Sequence, residues 1–276
     1  MPDAPASPTL AEILTLEPAR DGGGGPIVDT FIGHSPQEQR ARVFGGQVVA
    51  QSLVAATHTA PDAHHIHSLH AYFLRGGDVA EPIAYEVERL RDGRSFTARR
   101  VTARQGGKAI LVMSASFHAG GPSGDYEPPA PLGIPGPEHL PTTRFAKPGV
   151  LETRDASYDQ PRTPQRRLWF RAGCELNPAL HAAGIAYATD HGPFGAARRI
   201  VDTAGAGRFD QMFRASLDHA IWFHRPPRIE DWVLYDVEAV THRDDRILTS
   251  GRILDGDGRR IATVAQEILA RSPGAG

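Results

Sequence analysis

Apolar residues recur along this chain with two different periods, and the change from one to the other marks out its elements. Over FGGQVVAQSLVAATHTA (44–60) they fall almost all round a 3.6-residue turn, which predicts a helix buried on every side. LAEILTL (10–16) predicts a short amphipathic helix ended by the glycine run 22–25, and PIVDTFIGH (26–34) a first strand. HHIHSLHAYFLR, PIAYEVERLR, SFTARRVTARQ and KAILVMSASFHA follow as strand-like segments. The turn signals GGD, RDGR and QGGK separate them at close spacing, as in an antiparallel meander. Residues 120–150 are rich in Pro and Gly and read as a linker.

After the linker the pattern restarts. RRLWFRAG (166–173) is strand-like, and GIAYATDHGPFGAARRIV (184–201) contains a helix with Pro193 near its start, where proline is tolerated. FRASLDHAIWFHR, DWVLYDVEAV, RILTSGRIL and RRIATVAQEILAR then predict four more strands. The restart is an internal repeat. Arg75 and Arg225, Tyr85 and Tyr235, and Glu88 and Glu238 each stand 150 residues apart. One further residue in the second half brings GGKAILVMSASF onto DGRRIATVAQEI. The organisation expected is a unit over 1–120, a linker over 121–160 and a second unit over 161–276. In each unit a curved antiparallel sheet would wrap a long helix, an α+β arrangement.

One position breaks the pattern. In ATVAQEILAR (262–271), Ala262, Val264, Gln266 and Ile268 share a strand face, so an amide stands in an otherwise apolar row. Burying it without a partner costs roughly 1–3 kcal/mol. Its equivalent in the first half is Ala115, the residue a simple core would take.

Composition narrows the class of function. With 40% hydrophobic residues the chain can build a sizeable core, and 30 basic against 32 acidic residues leave a net charge of −2. That balance offers no electrostatic footprint for nucleic acid or an anionic membrane. Cys174 is the single cysteine, which excludes intrachain disulfides and cysteine-rich metal sites. No apolar run approaches the roughly 20 residues of a membrane span, and the N-terminal stretch lacks the pattern of a signal peptide. A cytoplasmic protein is expected.

VFGGQVVAQSL, HAYFLRGGD, YEVERLRDGRSFTARRV, DHAIWFHRP and AQEILAR together resemble the bacterial, TesB-like acyl-CoA thioesterase II family, over roughly residues 10–271. The resemblance implies a double hot-dog fold and hydrolysis of fatty acyl-CoA to free acid and coenzyme A. It also implies a water surrounded by an Asp, a Ser or Thr, and a Gln, which here are Asp190 in YATDHG, Ser216 in RASLDH and Gln266 in VAQE. No metal or redox cofactor is implied, coenzyme A being part of the substrate, and a homodimer of two-unit chains is expected. Hydration of an enoyl or hydroxyacyl thioester on the same fold, or acyl-CoA binding without turnover, are the alternatives. In the first half Ser216 falls on Ile66 and Gln266 on Ala115, while Asp190 falls near Gly46 or Gln47, where no acid lies. One catalytic centre per chain follows.

Other groups are candidates for substrate contact. HHIHSLH (64–70) puts His65 and His67 on one strand face; a metal would need a third ligand, so His67 is of interest only as a substrate neighbour. In SLDH, Ser216 and His219 stand three apart, which in a regular strand puts them on opposite faces and argues against a Ser–His nucleophile. Gly45 and Gly46 at a helix start would expose backbone N–H groups to an oxyanion or phosphate, or allow close helix packing. Arg94 and Arg99, with Arg91 and Arg100, would meet coenzyme A phosphates or form a solvated face.

Overall fold

The computed structural model describes residues 7–19, 28–36, 42–122, 124–127, 129, 133–157, 163–204 and 208–272; the glycine run 22–25 lies outside them. Helix α1 (Leu10–Leu14) opens with a capping box between Thr9 and Glu12 and sinks Leu10, Ile13 and Leu14 into the core. Strands β1 (Glu17–Pro18) and β2 (Val28–Gly33) precede helix α2 (Gly45–His58), which is buried from Gly46 to Ala56 as its apolar surface requires. The meander follows as β3 (His65–Phe73), β4 (Ile83–Asp92), β5 (Phe96–Gln105) and β6 (Lys108–His118).

In the second half, β7 (Leu151–Asp155) and β8 (Gln165–Ala172) lead to helices α3 (His181–Thr189) and α4 (Pro193–Ala204). Strands β9 (Phe213–Ser216), β10 (Asp218–Phe223), β11 (Val233–Arg243), β12 (Arg246–Leu254) and β13 (Arg260–Arg271) complete it. The sheet is antiparallel throughout, in the order β1-β2-β4-β5-β6-β3-β10-β13-β12-β11-β8-β7, with β9 on β13. The halves join where β3 pairs with β10, and there His70 stands opposite Ala220. These two residues are repeat equivalents, so a pseudo-twofold axis passes through their pair.

Three local features depart from the sequence reading. A helix does begin at Pro193, but GIAYAT belongs to a separate helix before it. The break has two causes: proline has no N–H to continue α3, and the residue before it, Gly192, is a poor helix former, kept glycine because a Cβ there would lie 2.2 Å from the Tyr235 ring. The Pro/Gly-rich stretch is also more than a tether. Ile134 and Leu140 pack on a small cluster of Ala156, Trp169, Leu234 and Leu254, and Trp169 Nε1 donates to the Pro135 carbonyl at 2.8 Å. Within 121–160, Leu151–Asp155 forms the last strand of the sheet, a five-residue segment too short to show an alternation among its neighbours.

The third departure is Arg99. It is 1% exposed, and its guanidinium donates to Thr59 Oγ1 (2.8 Å), Thr59 O (2.7 Å), Arg91 O (3.1 Å), Ala98 O (2.9 Å) and Asp92 Oδ1 (2.6 Å). All the donors of an arginine are thereby spent. Arg99 therefore clamps the end of α2 to the β4–β5 hairpin, and no N–H is left for a phosphate. No helix of the described residues is long and apolar enough to cross a membrane. Arg99→Met is expected to lower stability by about 2–4 kcal/mol, since charged hydrogen bonds and buried carbonyl partners are lost together. Thermal unfolding beside an activity assay checks this: the melt shifts down while KM stays within about twofold.

Candidate active site

The three polar residues singled out in the second half come together. Gln266 Nε2 donates to Asp190 Oδ1 at 2.7 Å and to Ser216 Oγ at 2.8 Å, and Ser216 Oγ donates to Asp190 Oδ1 at 3.1 Å. The other carboxylate oxygen, Oδ2, accepts the Gly46 N–H at 2.9 Å. The amide in the apolar row is thus partnered on every side. Asp190 is 4% and Gln266 1% exposed. Asp190, Ser216 and Gly45 line a cleft of about 370 Å³, whose wall also carries Phe44, Phe145, Phe194 and His191 and whose charged lining is Arg42, Arg144 and Arg214.

Each position has a local cause. Asp190 caps the end of α3 in the gap before α4 and meets the start of α2, so the helix N-terminus that steadies its charge belongs to the other half of the chain. Gly45 and Gly46 have to be glycine for this approach. A Cβ at Gly46 would lie 2.6 Å from the Tyr187 carbonyl, and one at Gly45 would lie 2.9 Å from Asp190 Oδ2 and 3.0 Å from the Phe73 ring. The Gly46 N–H expected to face a ligand is used by the carboxylate, while Gly45 remains at the cleft wall.

Ser216 and His219 lie on the same side, contrary to the alternation expected. Leu217 is an extra residue between β9 and β10: Ser216 pairs with Ile268, and Glu267 N–H then bonds Asp218 Oδ1. The first half has the same irregularity, with Ile66 opposite Phe117, Ser68 opposite Ser116, and His67 bulged between them. A bulge shifts the period by one, so residues three apart share a face. His219 Nδ1 lies 2.6 Å from Gln266 Oε1, and its Nε2 lies 3.0 Å from Thr189 Oγ1.

The direction of these bonds follows from the carboxylate. Asp190 takes only donors, so the Gln266 amide turns its NH₂ group toward it, and Oε1 must receive a proton from His219 Nδ1. Burial pushes the His219 pKa down, against the pull of the Asp190 charge. In the neutral ring Nε2 is bare, and the single proton of the Thr189 hydroxyl is shared between it at 3.0 Å and the Ile185 carbonyl at 2.9 Å. Burial also raises the Asp190 pKa, opposed by His219 and by its three hydrogen-bond donors.

His67 and Arg94 are not part of this cluster. His67 stands six residues before Phe73, whose ring meets Gly45, roughly 20 Å away along β3. It bonds Ser116 Oγ at 2.8 Å and packs edge-on to Phe96 and His118. Arg94 is exposed in the β4–β5 turn. Among the described residues, no group of three His, Cys, Asp or Glu side chains is placed to hold a metal ion. Sequence reading set His219 aside on the alternation rule, although its repeat equivalent, Leu69, was a signal: an apolar core position in one half carries an imidazole in the other. It missed Arg42, Arg144 and Arg214, which lie in irregular segments or at a strand end without a motif.

Two family profiles cover most of the chain, the acyl-CoA thioesterase N-terminal domain over residues 34–118 and the acyl-CoA thioesterase C-terminal domain over 125–270. The chain belongs to the acyl-CoA thioesterase II family. It is 34% identical to acyl-CoA thioesterase 2 of Haemophilus influenzae, over 87% of this chain and 92% of that one. It is 32% identical to human acyl-coenzyme A thioesterase 8, over 95% and 88%. Among solved structures, acyl-CoA thioesterase II TesB2 from Mycobacterium marinum superposes with a TM-score of 0.81 at 35% identity, over 97% of this chain and 100% of that one. A hot-dog protein of Alicyclobacillus acidocaldarius, at 17% identity and a TM-score of 0.74 over 96% and 98%, shares the fold. The double hot-dog implied by the resemblance is the fold of this chain, and the α+β repeat read from periodicity agrees with it.

The two glycines should separate two effects. Gly46→Ala drives a methyl group against a backbone carbonyl and is expected to lower both the melting temperature and kcat. Gly45→Ala presses on side-chain atoms, one of them Asp190 Oδ2, and is expected to lower kcat at least tenfold with a smaller thermal shift. Melting curves and kcat measured on both variants check the contrast.

Proposed function

We propose that this thioesterase hydrolyses fatty acyl-CoA to free fatty acid and coenzyme A through a water held at Asp190 and Ser216. The observation that carries this reading is the carboxylate at the cleft wall. It has roughly four acceptor sites, and three are occupied by Gly46, Gln266 and Ser216. One acceptor site is left for a water proton. The water oxygen attacks the thioester carbonyl carbon while Asp190 takes its proton. The carbonyl oxygen becomes an oxyanion, for which the start of α2 at Gly45 supplies a positive helix end. When the tetrahedral intermediate collapses, the C–S bond breaks and the sulfur takes the proton from Asp190, leaving acid and thiol. Nothing in this sequence calls for a metal or redox cofactor.

The cleft supports the same substrate. Phe44, Phe145 and Phe194 offer apolar surface to an acyl or pantetheine chain, and Arg42, Arg144 and Arg214 offer charge to the phosphates of coenzyme A. They take the role first given to Arg94 and Arg99. The reading carries with it a cytoplasmic enzyme of lipid metabolism that pairs as a homodimer.

A thiol-release assay over acyl-CoAs of increasing chain length tests the activity. Asp190→Asn is expected to lower kcat about 10²–10⁴-fold, the usual range for a lost general base. No release from any acyl-CoA would overturn the function; unchanged kcat in the variant would overturn the site. The pH profile adds a second check. Burial holds the Asp190 carboxyl above the 3.8 of an ordinary aspartate, so the base is lost at a higher pH than free aspartate would give. An acid limb in kcat with its midpoint above 3.8, absent in Asp190→Asn, is the expected result.

A further inference from the structure

His219 is 0% exposed, so it does not meet the substrate, yet its ring closes the far side of the catalytic amide. We infer that His219 is a positioning residue, whose Nδ1–H holds the Gln266 side chain in the one orientation that presents its NH₂ group to Asp190 and Ser216. This rests on the proposed role of Asp190, Ser216 and Gln266.

An amide can turn over by half a rotation, exchanging oxygen and nitrogen with little change of shape. A turned Gln266 would put Oε1 against Asp190 Oδ1, now 2.7 Å from Nε2, and would leave Asp190 without one of its three donors. The carboxylate and the Nδ1–H of His219 oppose this from the two ends of the same amide. Thr189 holds the ring in turn at Nε2, 3.0 Å away. The chain of contacts runs from α3 through His219 and Gln266 back to Asp190 at the end of α3, so the ring and the carboxylate are set by the same helix.

The other half of the chain is an internal control for the alternative, that His219 only fills the core. Under the 150 offset His219 falls on Leu69, and under the 151 offset Gln266 falls on Ala115. The registers confirm both, with Leu69 beside Ala115 and Arg99 opposite Ala115 where Thr249 stands opposite Gln266. For Asp190 the strands before the helices set the offset. Val28 pairs with Glu88 as Gln165 pairs with Glu238, an offset of 137 that brings Asp190 onto Leu53 and Thr189 onto Ser52. This corrects the looser placement near Gly46. Leu53, Leu69 and Ala115 are all buried, and Ser52 back-bonds to Val48 as Thr189 does to Ile185. The same frame therefore packs with leucine at the His219 position once the acid and the amide are gone. The imidazole accompanies the catalytic set, and the fold does not demand it.

His219→Leu, His219→Asn and Gln266→Ala, with the double variant His219→Leu/Gln266→Ala, test this in the whole enzyme. The double variant reproduces the Leu69 and Ala115 pair that the first half already packs. His219→Leu is expected to lower kcat about 10–100-fold, the scale of a misplaced catalytic group, with KM for acyl-CoA unchanged. His219→Asn, whose side-chain NH₂ stands close to where Nδ1–H was, should recover most of the loss. In the Gln266→Ala background, His219→Leu should have no further effect on kcat. Wild-type kcat in His219→Leu, equal loss in the Asn variant, or additive losses in the double variant would each overturn the inference. Wild-type kcat in Gln266→Ala would instead overturn the catalytic set on which it rests.

Discussion

The contact on which the site depends is the bond from the Gly46 N–H to Asp190 Oδ2, 2.9 Å long between residues 144 apart in sequence. It joins the start of one half's helix to the end of the other's. Most of the surrounding chemistry follows from making that approach possible. Two glycines clear the space at the start of α2, Gly192 and Pro193 stop α3 at the right residue, and the sheet continues without interruption across β3 and β10 to hold the two helices at fixed separation. The burial that results has two opposite effects. It raises the cost of charging Asp190, which lifts its pKa, and it strengthens the donors that keep it charged.

A second constraint is the bulge. In both halves an additional residue enters the strand at the same register, His67 in one and Leu217 in the other. In the first half it turns a histidine toward Phe96 and His118 and onto the Ser116 hydroxyl. In the second half it rotates Ser216 onto the face occupied by His219 and Gln266. A regular strand would have sent the hydroxyl to the opposite side of the sheet, so the cluster depends on this backbone irregularity as much as on the identity of its side chains.

Much of this was legible in the residues. The buried helix 44–60, the two meanders and the 150-residue repeat are written in apolar periodicity, which burial enforces at nearly every position. Gln266 showed itself by interrupting that periodicity. What was hidden depended on contacts between distant segments. Arg99 reads like any arginine in a charged strand until α2 is seen to end beneath it. The facing of His219 reversed because the alternation rule has no term for a bulge. Leu151–Asp155 is too short, and too closely flanked by Pro and Gly, for a period to emerge. Arg42 and Arg144 sit in irregular segments, where spacing carries no directional information.

The pairing of His70 with Ala220 sets the terms on which the two halves can differ. Two separate copies of such a unit, meeting along this same strand, would be held to equality: a leucine in place of the acid would appear at both helix ends, and so would any gain. Joining the copies in one polypeptide removes that obligation. Each half can then be tuned by single substitutions that the other does not share, and here one keeps Asp190, His219 and Gln266 while the other holds Leu53, Leu69 and Ala115. The molecule is symmetric in its hydrogen-bonded frame and asymmetric in its chemistry, and the 121–160 segment is the covalent link that lets both be true.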